Sequence, residues 1–196
     1  MQPALDIATP TRHARRVLAP MIFLAMLGFA AGWAWRQPLL DTPRMLWRIS
    51  RMPPATALPS PVQGVPARAI AATFGAPRGS TRTHAGVDIF ASRGTPVRSA
   101  TAGIVITVDE RGLGGKQVWI LGPGRERHYY AHLDGWAEGL HEGQSVLPGD
   151  LLGHVGTTGN ARGTPPHLHY AIYGRQGARD PLPALRAWPG QDPPEH

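Results

Sequence analysis

The sequence contains no cysteine among its 196 residues. This absence excludes disulfide bridges, thiolate metal sites and cysteine nucleophiles, so any metal ion must be bound by histidine or carboxylate side chains. An H-E-x-x-H motif is also missing, so no helix of that type supplies a glutamate base. Acidic residues are scarce, with 13 Asp and Glu against 20 Lys and Arg. The nine histidines are therefore the main candidates for chemistry.

The positive charge is unevenly distributed along the chain. The formal net charge is +7, and residues 1–52 hold seven Arg against two Asp, a net charge of +5 that leaves +2 for the rest. The later arginines are scattered and no aromatic-rich basic stripe accompanies them, as single-stranded nucleic-acid sites would require. The sequence therefore predicts no nucleic-acid partner.

Glycine and proline are abundant, with 24 and 21 copies respectively. Such a composition favours short strands joined by tight turns over helix bundles, and the length allows one domain with appendages. Short β-rich segments separated by glycine turns occupy residues 101–108, 116–121, 127–133 and 167–173. We therefore expect an all-β, antiparallel domain.

An uncharged run from Val17 to Trp35 has about the 20 residues that a helix needs to cross a bilayer. Arg12, Arg15 and Arg16 precede the run, which favours a cytoplasmic N-terminus and an exported remainder. The sequence thus predicts a single-pass membrane protein whose larger C-terminal part is exported. A cleaved signal peptide remains the alternative.

Five segments are predicted along the chain. They are a short basic cytoplasmic N-terminus (1–16), a transmembrane anchor or signal peptide (17–35), a stiff, extended Pro-rich spacer (36–60), a β-rich domain (61–187) and a disordered tail (188–196).

Three short segments hold the most informative histidines: THAGVD at 83–88, YAHLDG at 130–135 and PPHLHY at 165–170. In a strand, His167 and His169 point to the same face with Cα atoms about 6.5 Å apart, so both imidazoles reach one small site. His84 and Asp88 would lie about 13 Å apart if fully extended, too far to share an ion. We therefore expect the chain to bend at Gly86.

Neutral imidazoles and one carboxylate suit a Zn²⁺ ion with three protein ligands and one open position, the arrangement of catalytic zinc. Isolated histidines are more often surface or hydrogen-bonded core residues, and only the combination of three segments favours a site. The remaining histidines are interpreted as ordinary residues: His13, His128, His141, His154 and His196.

The ordered segments resemble the H-x-x-x-D, Y-x-H-L and H-x-H signatures of the lysostaphin/LytM-type zinc metallopeptidases. The similarity covers roughly residues 61–182 and includes ATFGAPRG before the first motif. It implies one zinc ion per chain bound by His84, Asp88 and His169, with His132 and His167 as catalytic groups that are not ligands. Many members carry an acidic residue at the position of Ala171, so a local contact beyond the ligands differs here.

The resemblance also implies a fold and an activity. The fold is a two-layered antiparallel β-sheet with glycine-rich loops walling a groove, and the activity is hydrolysis of peptide bonds in peptidoglycan stem-peptide cross-links by metal-activated water. Analogy with Gram-negative inner-membrane proteins favours the bond from D-alanine to diaminopimelate. Two alternatives remain: a non-catalytic wall-binding or amidase-activating module of the same fold, and a peptidase of exported proteins.

Overall fold

The computed structural model describes residues 12–37 and 40–189, and of residues 12–19 only the backbone. The chain divides into two compact units, one ending at Asp41 and the other beginning at Thr42. In these ranges, three α-helices span Arg12–Trp35 (α1), Asp41–Arg51 (α2) and Leu182–Arg186 (α3). Most of the predicted basic N-terminus, and the predicted tail beyond residue 189, lie outside the described residues.

Helix α1 makes up the described part of the first unit. Its large apolar side chains from Met21 onwards are exposed, Phe29 by 79% and Leu24 by 66%. Among the helices within the described ranges, none combines the length and apolar character needed to cross a membrane. The anchor over residues 17–35 therefore stays a prediction.

Helix α2 corrects the expectation of an extended spacer over residues 36–60. Met45 and Ile49 lie one helical turn apart and are buried in a cluster with Ile104 and Leu121 of the sheet. In a helix the i, i+4 spacing places the two side chains next to each other on one face, whereas an extended segment would hold them about 13 Å apart. The proline-rich segment after α2 also packs on the domain, where the Leu58 amide donates to the Ala184 carbonyl at 2.9 Å.

Eleven strands are described. They are β1 (Pro77–Arg78), β2 (Arg82–Thr83), β3 (Val87–Phe90), β4 (Pro96–Arg98), β5 (Gly103–Arg111), β6 (Gly115–Leu121), β7 (Arg127–Trp136), β8 (Ser145–Val146), β9 (Leu151–Val155), β10 (His167–Gly174) and β11 (Gly177–Arg179).

All pairings between these strands are antiparallel. Strands β1 and β2 form a hairpin, and the other nine form one branched sheet with the path β11-β10-β7-β6-β5-β8. The all-β antiparallel class is confirmed. The pairings join the nine strands in one sheet, so the division into two layers remains a prediction.

Strand β10 is central because it pairs with β7 along one stretch and with β3 and β11 along others. Leu168, Tyr170 and Ile172 alternate along it and are fully buried in the main hydrophobic core. The intervening His167 and His169 consequently face away from that core, toward the site described next.

Candidate metal centre

The residues singled out in the three sequence segments converge on one cavity of about 560 Å³. His84 comes from the chain between β2 and β3, His132 from β7, and His167 and His169 from β10. Asp88 of β3 is the sole carboxylate that lines this cavity within the described part of the chain. The structure thus brings together every candidate site residue that the sequence identified.

Three donor atoms form a nearly equilateral triangle at the base of the cavity. His84 Nε2 lies 2.9 Å from His169 Nδ1 and 3.0 Å from Asp88 Oδ1, and the last two atoms are 3.1 Å apart. Ligands bonded to zinc at about 2.0–2.1 Å in tetrahedral geometry lie roughly 3.3 Å apart. The triangle therefore fits a small, tetrahedral ion with one open position.

The bend predicted at Gly86 is confirmed and makes this triangle possible. Residue 86 is a bend between β2 and β3, so His84 and Asp88 meet although they are four positions apart in sequence. Space at the bend is tight, because a Cβ at position 86 would lie 2.3 Å from the Tyr170 carbonyl oxygen and 2.8 Å from Ala171 Cβ. The small side chain at 171 therefore packs directly under the bend.

Thr73 orients two of the three donors. Its carbonyl oxygen lies 2.8 Å from His84 Nδ1, and its hydroxyl oxygen accepts a hydrogen bond from the Asp88 amide at 3.2 Å. The first contact places the imidazole proton on Nδ1, which leaves the His84 Nε2 lone pair for a metal ion. Such outer contacts fix the tautomer and ring orientation of histidine ligands.

Arg78 holds the second carboxylate oxygen of Asp88. Burial would raise the pKa of Asp88, but hydrogen bonds to His169, His84 and Arg78 outweigh it and hold this pKa well below its ordinary value. Burial lowers the pKa of His169. An ionised carboxylate and neutral imidazoles are the protonation states that bind a metal ion.

His132 reaches the cavity through an irregularity in β7. Tyr129 and Ala131 line the cavity while Tyr130 is buried in the core, so strict alternation would turn His132 toward the core as well. Instead, His132 has a φ of 66° and the pairing register of β7 shifts next to it. Positive φ in a residue other than glycine is strained and is typical of functional positions.

His132 is neutral in this environment. Its Nδ1 lies 3.0 Å from the Thr158 carbonyl oxygen, so the imidazole proton resides there and Nε2 is free to accept another. Burial lowers the pKa of His132 to about 4, and repulsion from His167 and His169 acts in the same direction. At neutral pH this residue is therefore a proton acceptor.

His167, like His132, is held through its Nδ1 atom by a backbone carbonyl. Its Nδ1 lies 2.9 Å from the Pro165 carbonyl oxygen, and its Nε2 lies 4.0 Å from Asp88 Oδ1. The rings of His132 and His167 have centroids 5.1 Å apart. Two imidazoles thus flank the donor triangle without belonging to it.

The cavity walls differ in character. Trp119, Tyr129 and Tyr173 form an aromatic wall, with Trp119 and Tyr129 stacked at 4.2 Å between ring centroids. Arg78 and Arg82 of the β1–β2 hairpin line another part.

Sequence reasoning missed Thr73 and Arg78 as residues of the site, although both lie in the ATFGAPRG segment that contributed to the resemblance.

Comparison with known proteins identifies relatives of part of the chain. An L-Ala–D-Glu endopeptidase of Bacillus subtilis is 42% identical over 119 residues, covering 56% of this chain and 36% of the relative. The catalytic domain of lysostaphin from Staphylococcus simulans superposes with a TM-score of 0.54 at 29% identity, over 60% of this chain and 92% of that domain. A putative glycyl-glycine endopeptidase from Ruminococcus gnavus superposes with a TM-score of 0.55 at 30% identity, over 80% of this chain and 68% of that protein.

The chain spans only 36% of the length of the Bacillus relative and 20% of a DD-carboxypeptidase/endopeptidase from Neisseria meningitidis. The likeness therefore concerns one domain, and this domain contains all three histidine segments. Residues 82–181, about half of the chain, match Peptidase family M23. With this match, the shared fold and the convergence of the three segments, the chain belongs to peptidase family M23.

Proposed function

We propose that the protein is a zinc-dependent endopeptidase that hydrolyses peptide bonds in peptidoglycan stem-peptide cross-links. The observation that carries the proposal is the triangle of His84, Asp88 and His169 donor atoms at 2.9–3.1 Å, open to a cavity and flanked by the imidazoles of His132 and His167. A complete set of this kind argues against a non-catalytic module of the same fold.

His84, Asp88 and His169 would hold the ion. A zinc ion bound in this way supplies Lewis-acid chemistry, which polarises an amide carbonyl and lowers the pKa of water. The Nδ1 atoms of His132 and His167 are held by backbone carbonyls, which leaves the Nε2 atom of each for proton transfer in the cavity that both residues line. Each can accept a proton from an attacking water molecule and deliver it to the leaving amine.

The activities in the names of two relatives support a stem peptide as the substrate. The Bacillus relative is an L-Ala–D-Glu endopeptidase and the Neisseria relative a DD-carboxypeptidase/endopeptidase. An open cavity of about 560 Å³ with an aromatic wall has the size to bind a few peptide residues.

Digestion of purified peptidoglycan by the zinc-loaded protein tests this proposal. We expect new free amines and no new reducing sugar ends, because the bond cleaved is an amide between amino acids. Release of reducing ends would contradict the proposal, as would an absence of fragments while the protein retains stoichiometric zinc. Binding to the wall without cleavage would support the non-catalytic alternative.

We also propose that residues 17–35 anchor the protein in a bacterial inner membrane, with the catalytic domain in the periplasm or outside the cell. This proposal rests on the uncharged run and the preceding arginines and on the exposed apolar side chains of α1. Alkaline phosphatase fused after His196 is expected to be active. Activity of a cytoplasm-only reporter at that position would contradict it.

A further inference from the structure

The β1–β2 hairpin places two arginines directly opposite each other. Arg78 and Arg82 are paired in the register of the hairpin, and both line the cavity. Like charges directly opposite on neighbouring strands destabilise the pair. The repulsion between the two guanidinium groups therefore costs free energy in the isolated protein, and a bound negative charge lowers this cost.

Among the described residues, only one of the two guanidinium groups has an acidic partner. Arg78 binds the Asp88 carboxylate, whereas Arg82 is exposed and no carboxylate pairs with it among residues 12–37 and 40–189. Asp88 also contacts the two histidines of the donor triangle. The hairpin side of the cavity consequently carries positive charge in excess.

Arg82 lies close to the position of bond cleavage. It precedes His84 by two residues, which corresponds to about 6.5 Å between Cα atoms in an extended segment and places both side chains on the same side. A substrate strand advances about 3.3 Å per residue. The guanidinium of Arg82 can therefore meet a group on a substrate residue at, or one or two positions from, the scissile bond.

We propose that Arg82 determines specificity by binding a free carboxylate of the substrate within two residues of the scissile bond. This inference rests on the proposed function and narrows its substrate class to acidic peptides. A guanidinium matches a carboxylate through two parallel hydrogen bonds. Stem peptides carry free carboxylates on their glutamyl and diaminopimelyl residues, whereas polyglycine bridges carry none.

A pair of substrates separates charge recognition from general binding. One is a synthetic cross-linked stem-peptide dimer with its carboxyl groups free, and the other is the same dimer with these groups as primary amides. Turnover of both is measured with the unmodified protein and with the variants Arg82→Gln, Arg82→Lys and Arg175→Gln. Arg175 is exposed and lies outside the cavity, so its replacement makes the same change in net charge elsewhere.

We expect Arg82→Gln to lower kcat/KM for the free-acid dimer by about five- to tenfold, the range between an exposed ion pair and a charge-assisted hydrogen bond. The loss falls on KM because the contact is made equally in the ground state and the transition state. The amide dimer changes by less than about twofold. Arg82→Lys recovers part of the loss, Arg175→Gln leaves both rates unchanged, and added salt weakens the preference for the free acid.

Equal losses for the two dimers, or a preference that survives Arg82→Gln, would overturn the inference. Calorimetric binding of both dimers to the zinc-free proteins provides a second measurement. If the unmodified protein cleaves neither dimer, the proposed function fails. The binding measurement then still tests whether Arg82 recognises a carboxylate. The inference is supported if the free-acid dimer binds more tightly than the amide dimer and this difference disappears in Arg82→Gln. Equal affinities of the unmodified protein for the two dimers contradict it.

Discussion

We propose different roles for the two imidazoles beside the donor triangle and the two within it. His132→Ala and His167→Ala are each expected to keep near-stoichiometric zinc, because His84, Asp88 and His169 remain. Each variant should lose turnover on peptidoglycan by at least about 10²-fold, the low end for general acid–base catalysis. The double variant should lose less than the product of the single losses, since both groups serve one transition state.

Zinc content and fragment-release rate, measured side by side, check this prediction. His141→Ala is the control, because His141 is exposed and its Nδ1 contacts only the Gly139 carbonyl oxygen. A single variant that retains both zinc and full rate would remove that histidine from the mechanism. One that loses zinc would move it into the ligand set.

Asp88 contributes the carboxylate donor, so Asp88→Ala should bind zinc far more weakly. We expect a loss beyond the 10- to 100-fold typical of residues that only orient a ligand, measured by competition with a chelator. Asp134→Ala is the matched control: Asp134 lies in the second histidine segment, but its carboxylate pairs with Arg93 at the surface. Unchanged affinity in Asp88→Ala would show that the ligand set is wrong.

At the scale of single residues, the sequence predicted which side chains form the site better than how they reach it. The shared face of His167 and His169 follows from strand alternation and is confirmed by the cavity they line. The position of His132 could not be derived in this way, because alternation from Ala131 points it toward the core. Its positive φ depends on the pairing shift and on the Gly114 carbonyl that accepts its amide proton at 2.8 Å. These contacts are formed with residues distant in sequence.

At the scale of elements, the bend before β3 governs how the first motif meets β10. A Cβ at position 86 would lie 2.3 Å from the Tyr170 carbonyl oxygen, so Gly86→Ala must displace the bend or β10. We expect weaker zinc binding and a loss of about 1–3 kcal/mol in the free energy of unfolding, as for other overpacked sites.

Denaturant unfolding and zinc competition on the same variant check both effects. Gly135→Ala is a suitable control, since Gly135 also lies in the sheet but an added Cβ there meets no atom within 4 Å. If Gly86→Ala kept the stability and zinc affinity of the unmodified protein, the close approach of the bend to β10 would not be required for the site.

Helix α2 shows why proline content alone misled the interpretation of residues 36–60. The only proline within α2 is Pro43, which lies in its first turn, where proline is tolerated because the amide there has no intrahelical acceptor. The buried pair Met45 and Ile49 was visible as an i, i+4 spacing, but its packing partner is a distant residue, Ile104. Tertiary packing of an amphipathic face therefore decides the conformation.

At the scale of the whole molecule, the antiparallel all-β class followed from composition and glycine turns, and the structure confirms it. The branched order of the sheet could not be derived, because β10 pairs with the next strand, β11, and also with β3 and β7 from distant parts of the chain. This branching brings the first and third motifs into one site. Sequence patterns predict the strands, whereas their neighbours depend on burying the shared core.

The same sheet buries a histidine that the sequence analysis considered ordinary, and this burial links global stability to pH. His128 is fully buried in β7, with Nδ1 2.8 Å from the Tyr170 hydroxyl. Its Nε2 has no hydrogen-bond partner in the part of the chain that the structure describes. Burial, with a further contribution from Arg179, lowers the pKa of His128 to about 3 from the ordinary 6.5.

Acidification should therefore destabilise the fold through this residue. Between pH of about 6.5 and about 3 the unfolded chain binds a proton at His128 that the folded chain does not, so the free energy of unfolding falls as pH decreases, by up to about 1.4 kcal/mol per pH unit. Denaturant midpoints of the zinc-free protein at several pH values, compared with those of His128→Gln, isolate this contribution because the other histidines are common to both. We expect a shallower slope for His128→Gln whatever its absolute stability. Equal slopes for the unmodified protein and His128→Gln would mean that His128 is protonated to the same degree in the folded and unfolded chains.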